Sequence, residues 1–317
     1  MFTKRTQIIA IVALSVAISS LLNYFLFYSK PQQSLQVLDE SKRGDNSIQI
    51  TAVDIPESID FAGENVPLDI YYVREHLEWE LTVNTYWHSA TLLNLKRTKR
   101  WFPVIEPILK KNNIPDDFKY LSMIESSFQN VTSPAGAVGF WQFLKGTAKD
   151  YGLEVNDEVD ERYHVEKSTE AACQYLHKAF EKYQNWTMVA AAYNAGNRGI
   201  DRQVERQGET NYYSLLLNDE TERYVFRILA LKIIVNNPAQ YHFNLSEEEY
   251  YRPIPFQLEV VNGKVDSWAD FAKERQLSYR LIKEFNPWLR QPDLKNRQKK
   301  AYQIKIPNLQ NTNKAKN

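Results

Sequence analysis

The chain has little cysteine, no recognisable metal-ligand spacing and no excess charge. Cys173 is the only cysteine among 317 residues, so no intrachain disulfide can form, and we expect it to be a small core residue. The five histidines show no H-E-x-x-H or similar spacing, so we predict no metal ion. Because 39 Lys and Arg residues balance 39 Asp and Glu residues, the composition argues against a nucleic-acid partner.

A long apolar run occurs at the N-terminus. Lys4 and Arg5 precede an apolar stretch from Ile8 to Tyr28, close to the roughly 20 residues that cross a bilayer. We expect residues 1–30 to be an uncleaved membrane anchor, with a cleaved signal segment as the alternative. The basic end would then lie in the cytoplasm and the rest of the chain outside it.

Composition and periodicity divide the remainder into a linker, two folded parts and a tail. Residues 31–67 are polar and aperiodic, which predicts a linker, with ordered structure beginning near Leu68. Apolar residues then recur every three or four positions, which predicts a helical domain over 68–246. Residues 253–308 read as strand, helices and strand, and we expect the tail 309–317 to be disordered.

One acidic residue, Glu125, lies inside an apolar helical stripe. Its spacing places it on one face with Phe118, Leu121, Ser122 and Phe128. Burial would disfavour the charged form and raise the pKa of Glu125, so that a carboxylic acid could donate a proton near neutral pH. The spacing is equally compatible with an exposed glutamate at a frayed helix end.

A second acidic feature follows downstream. Asp157, Glu158, Asp160 and Glu161 lie close together in the sequence. They lack the alternating ligands and the glycine of a calcium loop. We therefore predict a solvated loop here.

Four short motifs follow one another through the helical region. They are Glu125-Ser126, Gly139-Phe140-Trp141-Gln142, Ala192-Tyr193-Asn194-Ala195-Gly196 and Glu220-Thr221-x-x-Tyr224-Val225. The series resembles that of the soluble lytic transglycosylase (SLT) family, and most of all its membrane-bound branch, over roughly residues 75–245. The resemblance implies a mainly α, lysozyme-like catalytic domain. It also implies cleavage of the β-1,4 bond between MurNAc and GlcNAc of peptidoglycan, which leaves 1,6-anhydro-MurNAc ends.

The resemblance also implies a role for each matched residue. Glu125 is expected to be the single catalytic acid and base. Two departures stand out: GFWQ carries aromatic residues at its two middle positions, and Arg162 to Val165 replace an Asp-Pro found in relatives, away from the assigned chemistry. The expected substrate-binding residues are Ser126, Gln142, Tyr193, Asn194, Glu220 and Tyr224.

The C-terminal module resembles a LysM domain, a small β-α-α-β glycan-binding unit. The likeness rests on Asp266-Ser267-Trp268, Phe271-Ala272, Asn286-Pro287 and the segment 302–307. A basic segment, 295–300, stands where the family has a glycine before its final strand. The module either binds glycan or merely packs against the enzyme.

The number of carboxylates bears on the reaction. Glycosidases generally use two, whereas between Pro115 and Ala195 no second acid lies on a comparable apolar stripe. This favours a lyase reaction without water or cofactor, in which Glu125 acts first as acid and then as base. A hydrolytic muramidase and a non-catalytic wall-binding scaffold stay open as alternatives. The expected partners are peptidoglycan strands and, through the N-terminal segment, the membrane of a bacterial cell envelope.

Overall fold

The computed structural model of the chain describes residues 50–308. The predicted anchor, about half of the predicted linker and the C-terminal tail lie outside this range. Of the described residues, 52–308 belong to one compact unit. Among the described residues, no helix has both the length and the apolar character that a membrane crossing requires.

Helices dominate the described chain, as predicted, and each of two small sheets has two antiparallel strands. The helices are α1 (Tyr71–Tyr86), α2 (His88–Lys111), α3 (Phe118–Ser126), α4 (Lys145–Asp150), α5 (Val165–Tyr183), α6 (Trp186–Ala195), α7 (Asn197–Gln207), α8 (Asp219–Asn236), α9 (Trp268–Glu274) and α10 (Tyr279–Phe285). The strands are β1 (Asp60–Phe61), β2 (Glu64–Asn65), β3 (Phe256–Val261) and β4 (Tyr302–Pro307).

Helices α1 to α8 enclose one hydrophobic core, with α8 packed against α1, α3 and α6. The C-terminal half of α8 is largely apolar and buried, as in Ile228, Leu229 and Ile234, and Lys232 is its charged exception. In α6 three consecutive alanines, 190–192, are fully buried and allow neighbouring helices to approach closely. The core prediction for Cys173 is confirmed, since it is fully buried. This packing brings α3, α6 and α8, which carry three of the four motifs, next to one another.

Ordered structure begins earlier than predicted. Phe61 and Val66 are buried in the helical core, so the expectation of a start near Leu68 is wrong. The Glu64 carboxylate accepts a hydrogen bond from the backbone amide of Trp186 at 2.5 Å, where α6 begins. An anion at a helix N-terminus satisfies otherwise unpaired amides. Strands of two residues with isolated apolar side chains leave no periodic signal, which is why the sequence did not reveal them.

The C-terminal module has the predicted order of strand, two helices and strand. Strands β3 and β4 pair in register from Phe256 opposite Pro307 to Val261 opposite Tyr302. Ile304 of β4 packs into a separate small core with Trp268. The helical and strand predictions for this module are therefore confirmed.

The acidic loop is the attachment point of this module, so the prediction of a solvated loop is wrong. Val159 lies in the module's core and bridges to Leu289. The backbone amide of Asp160 donates to the carbonyl oxygen of Trp288 at 2.9 Å. Asp160 is buried beside Arg162, which neutralises its charge. The apolar Val159 among the acids is what turns the loop inward.

Val159→Ala is expected to destabilise the protein by roughly 1–3 kcal/mol, because it removes two buried methyl groups from the contact with the module. Urea-induced unfolding measures the loss. Val131→Ala, at an exposed valine, is the matched control and should change stability little. Equal, negligible effects of the two substitutions would mean that the loop is solvated after all.

Candidate active site

Glu125 lies half-buried in the last turn of α3. The helix ends there because Ser127 and Phe128 adopt left-handed backbone conformations, with φ of 51° and 53°. Burial is the main influence on the carboxyl and raises the pKa of Glu125 above its ordinary value. The alternative of an exposed glutamate at a frayed helix end is thereby excluded.

Tyr224, in the second turn of α8, is the direct partner of this carboxyl. Its hydroxyl donates a hydrogen bond to Oε1 of Glu125. Burial raises the pKa of Tyr224 well above its ordinary value, so the phenol stays neutral and remains a donor. The hydrogen bond from Tyr224 and the positive charge of Arg227 oppose the effect of burial on Glu125 but do not cancel it. The result is a carboxyl that is more readily protonated than a surface glutamate.

Asn194 joins the end of α6 to the start of α8. Its Nδ2 donates to Oε1 of Glu220 at 3.2 Å, and its Oδ1 accepts from Oγ1 of Thr221 at 2.8 Å. Glu220 is exposed, and its negative charge adds to the rise in the pKa of Glu125. These contacts tie the end of α6 to the first turn of α8, next to the helix turn that carries Tyr224.

The turn between α3 and α4, which carries the GFWQ motif, packs against the same helices. Ser126 Oγ donates to the carbonyl oxygen of Phe140 at 3.1 Å, and the Tyr193 hydroxyl donates to that of Trp141 at 2.6 Å. Ser126 is buried. The hydroxyls of Ser126 and Tyr193 therefore hold the turn in place against α3 and α6.

Gln142 ends the motif in a left-handed conformation, with φ of 48°. Its Nε2 donates to the carbonyl oxygens of Gly139 at 2.7 Å and Val131 at 3.2 Å. These bonds keep the amide nitrogen within its own turn. The half-buried side chain stays at the edge of the turn.

Arg162 clamps this turn from the acidic loop. Its Nη1 donates to the carbonyl oxygens of Gly136 and Phe143, both at 3.1 Å, and its Nη2 pairs with Asp160 at 2.7 Å. The backbone of Gly139 lies directly against the Arg162 carbonyl. Arg162 therefore supports the turn that carries Gln142 and makes no hydrogen bond to Glu125 or Tyr224, so the expectation that this segment lies away from the assigned chemistry stays a prediction.

The structure brings together Glu125, Tyr224, Asn194 and Glu220, and places the other predicted residues in the adjoining turn. The sequence reasoning missed Arg227, although Glu220, Tyr224 and Arg227 are spaced i, i+4 and i+7 on one face of α8. Over residues 50–308 no group of His, Cys, Asp and Glu side chains is arranged to hold a metal ion. The arrangement offers one acid/base carboxyl with a neutral phenol as its partner.

Comparison with known proteins agrees with the resemblance read from the motifs. Residues 102–216 match the family model of the transglycosylase SLT domain, and residues 258–310 match that of the soluble lytic transglycosylase C-terminal LysM-like domain. The expected fold, a lysozyme-like helical domain with a small LysM-like module, is confirmed.

Individual relatives cover part of the chain. It is 33% identical over 190 residues to membrane-bound lytic murein transglycosylase D of Escherichia coli K12, and equally to that of Escherichia coli O6:H1. Each match covers 57% of this chain and 41% of the relative, so the chain spans about two fifths of their length. A putative tributyltin chloride resistance protein of Alteromonas sp. is 29% identical over 123 residues, which is 38% of this chain and 58% of that protein.

Proposed function

We propose that this chain, which contains a transglycosylase SLT domain followed by a LysM-like domain, is a peptidoglycan lytic transglycosylase. Its reaction is cleavage of the β-1,4 bond between MurNAc and GlcNAc with formation of 1,6-anhydro-MurNAc ends. The observation that carries the proposal is the carboxyl of Glu125, which lies within the matched domain and is half-buried. Burial raises its pKa, and it accepts a hydrogen bond from Tyr224.

In the first step, protonated Glu125 donates its proton to the glycosidic oxygen as the bond to the anomeric carbon breaks. The raised pKa of Glu125 makes its acid form more available than that of a surface glutamate. The N-acetyl group of the substrate stabilises the positive anomeric carbon. Tyr224 and Arg227 stabilise the carboxylate that is left behind.

In the second step, the Glu125 carboxylate accepts the proton of the muramic C6 hydroxyl. The C6 oxygen then bonds to the anomeric carbon and closes the anhydro ring. Glu125 ends the cycle protonated, and no water or cofactor is consumed. The step is therefore a lyase reaction with one acid/base residue.

The other site residues either bind the glycan or hold the catalytic carboxyl and the neighbouring turn in position. Asn194, Glu220 and Gln142 line the cleft and contact the glycan, while Tyr224 orients the catalytic carboxyl. Ser126 and Tyr193 support the cleft from below through their bonds to the GFWQ turn. The LysM-like module adds contacts to the glycan strand.

The N-terminal segment, residues 1–30, anchors the enzyme in the membrane, with the catalytic domain on the extracytoplasmic side of the envelope. The basic Lys4 and Arg5 before the apolar run support this orientation. We place the start of the catalytic domain before residue 68, because Phe61 and Val66 belong to its core. Its end near residue 246 and the bounds 253–308 for the module follow from the pattern of helices and strands.

Digestion of purified sacculi by the full chain in detergent tests the proposed function. Mass spectrometry of the released fragments should find anhydro ends, lighter by one water than hydrolytic ends. Reducing ends would identify a muramidase, and binding without release would identify a scaffold; either result would overturn the proposal.

Tyr224→Phe is expected to shift the pH dependence of the reaction. The Tyr224 hydroxyl favours the ionised carboxylate, so its loss raises the pKa of Glu125 further. Because the general acid must be protonated, the alkaline limb of the pH profile of kcat/KM should move to higher pH. Tyr175→Phe is the control, since this hydroxyl donates to the carbonyl oxygen of Ala192 instead. A limb that stays in place, or moves to lower pH, would contradict the assigned role.

A further inference from the structure

A second polar and aromatic cluster lies where α1 packs against α8. The Trp79 ring is 58% exposed, and the guanidinium carbon of Arg223 lies 5.3 Å from its centroid. Nε of Arg223 donates to Oε1 of Glu80 at 2.6 Å. The proposed mechanism uses none of these three residues.

The cluster adjoins the cleft. Glu220, Arg223, Tyr224 and Arg227 are spaced i, i+3, i+4 and i+7, so they share one face of the first turns of α8. Tyr224 contacts the catalytic carboxyl, and Glu220 contacts the end of α6. Arg223 is therefore at the rim of the same cleft, one helical turn beyond Glu220.

Helix α1 extends this rim. Glu80 pairs with Arg223, and His76, one turn earlier in α1, packs on Phe226, one turn later in α8. The two helices are therefore antiparallel. Trp79 thus continues the rim of the cleft alongside Arg223.

Glu80 fixes the guanidinium while leaving its outer edge open. The Glu80 carboxylate is buried and needs a cationic partner, which Arg223 supplies through Nε. Within residues 50–308 the terminal nitrogens of Arg223 make no hydrogen bond, and its side chain is 40% exposed. A guanidinium held in this way presents a planar fork of N–H donors that suits a carboxylate.

The exposed indole supplies an apolar surface beside that fork. Aromatic faces pack against flat apolar surfaces, and a sugar ring presents such a surface through its C–H groups. The Trp79 face and the Arg223 fork together match a ring that carries an anionic substituent. A bare neutral glycan would use only the indole.

We infer that Trp79 and Arg223 form an additional subsite for a peptide-substituted sugar of the glycan strand. The sugar ring packs on Trp79, and a carboxylate of the peptide substituent pairs with Arg223. The inference rests on the proposed function, because it takes the cleft beside Glu125 to be a glycan cleft.

Equilibrium binding tests the subsite in the full chain carrying Glu125→Gln, which does not consume the ligand. The probes are soluble glycan strands with their peptides and neutral oligomers of N-acetylglucosamine, which present sugar rings but carry no carboxylate. Trp79→Ala should weaken binding of both probes by about 2- to 10-fold. Arg223→Lys keeps a charge opposite Glu80 but removes the fork, so it should weaken binding of the peptide-bearing strands only.

Tyr71→Ala, at another exposed aromatic residue of α1, is the matched control and should leave both affinities unchanged. Thermal unfolding verifies that each variant is folded. Unchanged binding in Trp79→Ala, or equal weakening of both probes in Arg223→Lys, would overturn the inference. A failure of the proposed function is detected in a different experiment, namely the release of fragments from sacculi by the chain with Glu125 intact.

In the chain with Glu125 intact, Trp79→Ala and Arg223→Lys should each raise KM and leave kcat unchanged, because neither side chain touches a reacting atom. A fall in kcat at constant KM would instead mean that the pair acts on the site through the position of α8, and would contradict a subsite.

Discussion

Glu125→Gln is expected to lower turnover of peptidoglycan by at least about 10²–10⁴-fold while leaving the fold intact. A glutamine can neither donate the proton to the leaving oxygen nor accept the one from the C6 hydroxyl, so both steps lose their catalyst. The substitution conserves shape, and the amide oxygen can still accept the hydrogen bond from Tyr224. The loss therefore reports chemistry, not misfolding.

The rate of fragment release from sacculi measures this effect, with circular dichroism and thermal unfolding as checks on the fold. Glu205→Gln, at an exposed glutamate of α7, makes the same chemical change away from the cleft and should retain full activity. Turnover of the Glu125→Gln protein within a few-fold of the unaltered chain would remove Glu125 from the mechanism.

Gly139→Ala is expected to destabilise the protein by roughly 2–5 kcal/mol and to lower activity. The added Cβ would lie 2.0 Å from the carbonyl oxygen of Arg162, which is backbone and cannot rotate away. The φ of +82° also disfavours any residue with a Cβ. To relieve the clash between the new Cβ and the Arg162 carbonyl oxygen, the GFWQ turn has to move away from Arg162. This movement would displace Gln142.

Gly136→Ala separates the effect of the steric clash from the effect of the positive φ. Gly136 lies in the same turn with φ of +79°, yet nothing lies within 4 Å of an added Cβ. Only the conformational cost of about 1–2 kcal/mol should remain. Urea-induced unfolding of the two variants gives the difference. Equal losses would mean that the contact between Gly139 and Arg162 is not tight in solution.

The parts of the fold that the sequence reveals are those that depend on local patterns. Helix α3 and its stripe, the helices of the C-terminal module and the positions of Glu125 and Tyr224 follow from spacing and from motifs. Each of these residues lies on a regular face of its own element, and such faces repeat at a known period. The contact between Glu125 and Tyr224 joins two helices and came from the motif series instead.

The parts that remained hidden depend on contacts between distant segments. Arg162 reaches back to the turn at 136–143, and Glu64 caps the start of α6 across more than a hundred residues. Val159 is a single apolar residue among acids, and only the docked module makes it a core residue. No local sequence pattern indicates a contact between segments so far apart. The acidic loop was therefore predicted to be solvated.

Digestion of sacculi in water labelled with oxygen-18 tests the central claim most directly, because it asks whether water enters the product. Anhydro-MurNAc ends without label are expected, since the C6 hydroxyl of the substrate closes the ring while Glu125 takes its proton. Fragments that carry one labelled oxygen at the anomeric carbon would show hydrolysis and would contradict a lyase built on this single carboxyl.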